Sequence, residues 1–344
     1  MTVDVAVIGG GPAGAIVSLE LARRGWSVAL LESTAFQGGR YGETLPPEIN
    51  PVLRELGLWE AFQSLGPMDA PGIVSAWGSS VAREQDFVGN RHGSGWHVDR
   101  NRFDEMLCGE AARAGAAVVP RTTGTPRREP DGGWRTGRVE ARFLVDASGR
   151  NGLRIDGGCA RDDDDVLLGI VLEVRYASAP PADWRTFIES TRSGWWYTAR
   201  LASGTVAMFF ADPGEYAAEG IVLGDQLADA PLTRSRLEGG HIGGSRVVRV
   251  SSSCRRTISG GDWVAVGDSA SSYDPLSGRG VFKAMRHAGL AAAAVDARLR
   301  GNGAALDEYA TRVRTEFDDY VRQRREYYAG ERRWTDQPFW RGRS

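Results

Sequence analysis

The chain has 344 residues, a formal net charge of −2, 42% hydrophobic and 9% aromatic residues, and three widely spaced cysteines, Cys108, Cys159 and Cys254. The length exceeds one compact core and predicts two domains. The near-zero charge calls for neither nucleic acid nor an anionic membrane as partner, and the unpaired cysteines argue for a reducing compartment and against a disulfide framework or a zinc site.

No metal is expected. No apolar run reaches the ~18–20 residues that span a bilayer, and no signal peptide precedes the first strand, so the cytoplasm is the expected location. Residues 3–8 read as a buried strand, followed by Gly9, Gly11 and Gly14 as G-x-G-x-x-G. Residues 15–24 carry apolar side chains at helical spacing and Gly25 stops that helix. A strand at 28–31 then closes on Glu32. Gly9 permits a sharp turn, Gly11 lets the backbone approach a pyrophosphate, and Gly14 lets the helix pack on the strand. The helix N-terminus offers free N–H groups and a positive dipole end. Glu32, about 20 residues on, is placed to accept a hydrogen bond from an adenosine ribose. It disfavours a 2′-phosphate, which leaves NAD or FAD. The alternative, a glycine-rich turn without ligand, is weakened by the complete strand–turn–helix–strand–acid order.

The next stretch, "GRYGETLPPEINPVLRELGLWEAF", brings Arg40 within reach of a phosphate, and Pro46-Pro47 stiffens the lead into a helix. Residues 71–95 form an insert with "GIVSAWGSS" as a strand candidate. "WHVDRNRFDEML" sets Arg100 before a helix with Phe103, Met106 and Leu107 on one face. Taken alone, either arginine reads as a surface residue. "VEARFLVDASGRNGLR" is a strand breaking at Asp146-Ala-Ser-Gly149, a turn suited to a nucleotide, and "ARDDDDVLLG" reads as a solvated charged turn. Between 166 and 250, "LLGIVLEVRYA", "WRTFIES", "GWWYTARL" and "TVAMFFAD" alternate as short strands. "GDWVAVGDSASSYDPLSGRGVFKAM" follows, with a strand at 264–266 that ends on Gly267 and Asp268. Asp268 can bond a ribityl hydroxyl. Pro275 and Gly278 shape a loop, and Gly280 opens a helix whose N–H groups would face a flavin pyrimidine ring. These later motifs select FAD. Beyond residue 303 the pattern is a long amphipathic helix whose aromatics cover the core.

The four motifs, in this order over nearly the whole chain, resemble the FAD-dependent monooxygenase superfamily of aromatic hydroxylases, geranylgeranyl-reductase-like enzymes and tryptophan halogenases. The resemblance implies an α/β plus β fold with a Rossmann-like FAD-binding domain of the glutathione-reductase type. That domain is discontinuous, from 1–70, 98–165 and 251–300. A mostly antiparallel substrate-domain sheet comes from 71–97 and 166–250, and 301–344 form a C-terminal helical segment. "GETLPP", "GSGWHVDR", "SGWWYTA", "DPLSGRG" and "ERRWTDQPFW" further resemble the flavoprotein monooxygenases that mature tryptophan-derived quinone cofactors. The implied cofactor is FAD, with O₂ as co-substrate and electrons from NAD(P)H or a separate flavin reductase. The implied partner is an aromatic small molecule, or a tryptophan carried on a peptide or carrier protein.

Trp196 and Tyr197 are candidates for an aromatic wall against a flat substrate, with sheet core as the alternative. His97 is an active-site base or a structural histidine, and Asp274 flanks the flavin loop. Lys283 is the only lysine in the chain. Halogenases of this superfamily use a lysine in the substrate domain, distant from the flavin, to direct hypochlorous acid. Residues 1–282 hold none, and a guanidinium, effectively never deprotonated, is no replacement. The expected activity is therefore hydroxylation of an electron-rich ring through a flavin C4a-hydroperoxide, and the resemblance favours an indole or tryptophan as that ring. A halogenase, a reductase and a non-catalytic flavin-binding accessory protein are the alternatives. Lys283 itself is expected on the helix surface or behind the cofactor.

Overall fold

The computed structural model describes residues 1–123, 125–130, 132–155, 158–177, 182–214, 216 and 223–343. Its first sheet runs Ala117–Val119, Val28–Leu31, Thr2–Ile8, Val139–Asp146, Trp134–Thr136, Arg127–Arg128, and Trp263–Ala265 adds to Val139–Asp146. The four central pairings are parallel. Parallel strands are covered on both faces, which is why Val28–Leu31 is an unbroken apolar run, every residue buried. The covering helices are Pro12–Arg23, Arg100–Arg113 and Gly280–Leu299, the first packing against both others.

A second sheet lies in the order Gly240–Arg249, Leu168–Tyr176, Gly204–Ala211, Gly194–Leu201, Thr186–Thr191, Gly72–Ala76, Arg83–Asp86. Its pairings are antiparallel except that of Thr186–Thr191 with Gly72–Ala76. Side chains alternate across it. Trp195 packs with Phe210, Tyr328, Phe339 and Trp340 on one face. Trp196 packs with Phe209 on the other, and its indole N–H donates to Gln226 O in the helix Leu223–Ala228.

Two three-stranded sheets join these layers. One corrects the sequence reading: the acidic run is a strand, Arg161–Asp165, paired with Ser252–Arg255. Its acids are not all solvated. Asp164 and Asp165 hold Arg324 at 2.7 and 2.6 Å, and Asp165 also holds Arg343 at 3.0 Å. These arginines come from the C-terminal region, so a linear acidic run could not reveal them. The last long helix is Ala305–Ala329, with Tyr309, Phe317, Tyr320 and Tyr328 buried. After it the chain folds back, and Phe339 and Trp340 are fully buried against the second sheet. No described helix is long and apolar enough to cross a membrane.

Candidate functional site

The turn after the first strand is built from close backbone approach. Gly9 has φ 109°, and a Cβ there would overlap Ala147 O. A Cβ on Gly14 would overlap the Gly9 carbonyl. Gly11 differs, because a Cβ there meets nothing within 4 Å. It is the N-cap of the helix Pro12–Arg23, which has no side-chain cap and no acid in its first turn. The first N–H groups of this helix thus have no side-chain cap and no acid in their own turn, the condition an anion satisfies.

Glu32 is buried beside this turn. Its Oε2 accepts from Gly10 N at 2.7 Å, and its Oε1 accepts from Thr34 N and Oγ and pairs with Arg40 at 2.8 Å. Burial pushes the carboxyl upward, but the Thr34 bonds and Arg40 outweigh it and hold the group below the ordinary range. Arg40 and Arg100 are both tied to Asp104, at 2.7 and 3.1 Å. Asp104 was not singled out in the sequence, where it is one more polar helix residue. The open space at Gly11, the uncapped helix and the two arginines fit the ADP half of FAD.

Asp146 departs from its expected role at a nucleotide. It is fully buried, pairs with Arg255 at 2.7 Å, and accepts from Leu153 N and from Ser148 N and Oγ. It shapes the loop after its strand from inside, while Gly149 lies beyond it with open space around it.

A Cβ on Gly267 would meet Ala13 Cβ at 2.7 Å, so Gly267 and Asp268 lie against the start of the Pro12 helix. Asp268 is a quarter exposed and pairs with Lys283 Nζ at 2.9 Å and Arg150 Nε at 3.4 Å. Burial opposes its ionisation, yet Lys283 and then Arg150 hold it at about 2. Lys283 is buried, not on the helix surface. Its Nζ donates to Ser271 O as well as Asp268 and lies 4.4 Å from the Tyr273 ring centroid. Pro275 opens a 3₁₀ turn, and Gly278 ends it at φ 59°, which only glycine adopts readily. Gly280 starts the next helix, which has no side-chain cap and no acid in its first turn.

Asp274 is turned inward. Its carboxylate accepts from Leu276 N at 2.8 Å and Tyr328 OH at 2.8 Å, and burial raises its pKa. Tyr328 OH also accepts from Trp195 Nε1 at 3.1 Å. Asp274 thus pins the flavin-loop segment to the C-terminal helix.

His97 and Tyr197 come together, joined by Thr44. His97 Nε2 lies 2.8 Å from Trp184 O, which can only accept, so Nε2 carries the proton. Nδ1 then accepts from Thr44 OH at 3.0 Å, and Thr44 in turn accepts from Tyr197 OH at 2.6 Å. Burial drives the His97 pKa down to about 4. With both nitrogens engaged, His97 orients its neighbours and is no base. Burial also pushes the Tyr197 phenol up. Trp196 is on the opposite sheet face and does not join them.

The group that sequence reading passed over is Glu43, inside the quoted "GETLPP". It is 3% exposed and lines an open cleft of about 170 Å³ with Arg40, Tyr41, Arg100, Arg175 and Ser203. Its carboxylate accepts from Gly42 N at 3.1 Å. Burial raises it to about 7, only partly opposed by Arg100. A glutamate whose next residue, Thr44, faces Tyr197 has no signature apart from that burial.

A family model described as tryptophan halogenase matches residues 72–344, and one described as FAD dependent oxidoreductase matches residues 4–44. The putative FAD-dependent oxidoreductase LodB of Marinomonas mediterranea is 29% identical, over 99% of this chain and 96% of LodB. Among solved structures, the myxobacterial chondrochloren halogenase CndH has a TM-score of 0.85 at 25% identity, covering 100% of this chain and 86% of its own. The peptidyl tryptophan dihydroxylase QhpG has a TM-score of 0.78 at 26% identity, covering 100% of this chain and 79% of its own. The fold is thus shared over the full chain with CndH and QhpG, and the chain belongs to the tryptophan halogenase family and is a FAD-dependent oxidoreductase.

Proposed function

We propose that this protein transfers oxygen, not halogen, to an electron-rich aromatic ring, with an indole borne on a peptide or carrier protein as the substrate class. The single lysine carries the reading. Its ammonium is buried between Asp268, Ser271 O and the Tyr273 ring, on a helix packed against the Pro12–Arg23 helix of the first layer. The substrate-side sheet therefore has no amine to hold hypohalous acid, and its arginines stay protonated. The peptidyl tryptophan dihydroxylase QhpG matches the whole chain in structure. Halogen transfer is the second reading, favoured by the family match and by CndH.

In this reading the FAD-binding domain comprises 1–70, 98–165 and 251–300, the substrate domain 71–97 and 166–250, and the C-terminal segment 301–344. Bound FAD, reduced by NAD(P)H or by a separate reductase, supplies the oxygen-transfer chemistry from O₂. Gly9, Gly11, Gly14, Glu32, Arg40 and Arg100 hold its ADP half. Asp268 and Gly149 border the chain between the halves, and the Gly280 helix start offers N–H groups to negative charge on the ring. Tyr197, fixed through Thr44 and His97, orients the aromatic substrate. Glu43 accepts the proton that the ring carbon loses as its bond to oxygen forms.

The test supplies a flavin reductase, FAD, isotopically labelled O₂, chloride, bromide and a tryptophan-containing peptide, and reads the product by mass spectrometry. A gain of labelled oxygen supports the reading, and a halogen isotope pattern overturns it.

A further inference from the structure

We propose that the free edge of the strand Gly240–Arg249 binds an extended, acidic segment of the polypeptide that carries the substrate ring, as an added strand of the second sheet. This rests on the reading above that the ring is polypeptide-borne.

The strand is ten residues long, outermost in its sheet, and paired on one side only, with Leu168–Tyr176. Among the described residues, no backbone hydrogen bond reaches its other edge. Val250 N donates to Leu167 O at 2.9 Å, one position beyond the strand. Bonded and non-bonded pairs alternate in an antiparallel ladder. The N–H groups of Arg249, Val247 and Ser245 therefore point outward. Ile242 and Val247 are 48% and 46% exposed. The register shifts at Gly243, and the stretch Gly244–Arg249 beyond that shift is a regular, partly apolar edge, a template for strand addition.

Its position leads to the cleft. Glu173, Val174 and Arg175 of the neighbouring strand line that cleft. Arg246 reaches Tyr41, which lines it too. A segment bound at this edge would run past the cleft mouth and could turn one side chain inward.

Charge selects the occupant. Residues 240–249 include His241, Arg246 and Arg249 and no acid. Arg249 is held by Asp163, whereas Arg175 and Arg246 form no ion pair among the described residues; Glu173 is the acid in their midst. A second copy pairing edge to edge would oppose like charges, which is destabilising. An acidic peptide gains from the same charges.

The experiment measures fluorescence anisotropy of a dye-labelled, glutamate-rich peptide of roughly ten residues with one tryptophan, with hydrogen exchange read in parallel. Val247→Pro deletes one outward N–H and leaves the inner ladder intact, a substitution edge strands tolerate. The proposal expects wild type to bind the acidic peptide and not an arginine-rich counterpart, with exchange slowed at 240–249. It expects Val247→Pro, and wild type with a peptide N-methylated at alternate residues, to bind about tenfold more weakly. The N-methylated arm does not depend on the variant folding. Equal affinity in both arms, protection confined elsewhere, or a dimer lost on Val247→Pro would overturn it. A bound peptide that emerges halogenated sinks only the oxygen reading, and labelled oxygen on free tryptophan without peptide binding sinks the docking and the polypeptide-borne substrate while oxygen transfer stands.

Discussion

Glu43 shows how much one residue's surroundings decide. Its pKa near 7 arises from burial, with Arg100 lowering it and Asp99 raising it; Tyr197 lies close enough to feel its charge. As a base it acts only when ionised, so the rate of ring modification should rise with pH through about 7. Glu43→Gln should abolish that limb and lower kcat by roughly 10²–10⁴-fold with little change in KM, checked by pH–rate profiles of both proteins. His97 is the converse case, a buried imidazole kept neutral. Its pKa is depressed on folding, so its contribution to stability is present above the ordinary value of 6.5 and lost as pH falls through about 4. Glu43, with a raised pKa, runs oppositely between 4.5 and about 7. The difference between wild type and His97→Gln isolates the histidine: urea unfolding should lose about 3 kcal/mol of pH dependence over that interval.

At the scale of elements, the Pro12–Arg23 helix and its glycine turn were readable in advance. The contacts that make the turn lie mostly within the contiguous stretch from the first strand to Glu32, with Ala147 closing on Gly9 and Cys108 meeting Gly10 from farther along the chain. Two glycines three residues apart should nonetheless respond differently. Gly11→Ala adds a methyl into open space at φ −76°. The apoprotein should melt as wild type does, while FAD affinity falls at least about tenfold as the methyl takes the pyrophosphate's place. Gly14→Ala must push the helix away from Gly9 and should lower both. Thermal melts of the apoprotein and flavin retained after gel filtration distinguish the two. The strand Arg161–Asp165 was not readable, because its partners Arg324 and Arg343 are more than a hundred residues away.

For the whole molecule, the C-terminal segment ties the two large sheets together. Trp340 is fully buried, donates to Thr191 O at 2.9 Å, and meets Trp77, Tyr328 and Phe339. Trp195, Tyr328 and Asp274 carry a hydrogen-bond path from the second sheet to the flavin loop. Trp340→Ala should cost about 3–5 kcal/mol and make the chain after Ala329 sensitive to protease, measured by chemical denaturation and limited proteolysis.

The amino-acid order alone determined the nucleotide cradle and the scarcity of lysine. A glycine turn with its helix and acid is a contiguous pattern, and an absent residue type needs no coordinates. Alternation separated Trp196 from its neighbours Trp195 and Tyr197, but only the packed sheets decided that Trp196 lies under the helix Leu223–Ala228 and that Tyr197 meets Thr44. Tertiary structure also turned Asp146 and Asp274 inward, buried Lys283 beside Asp268, and desolvated Glu43. Those outcomes depend on burial and on charges brought together across the chain, and neither is a property of local residue order.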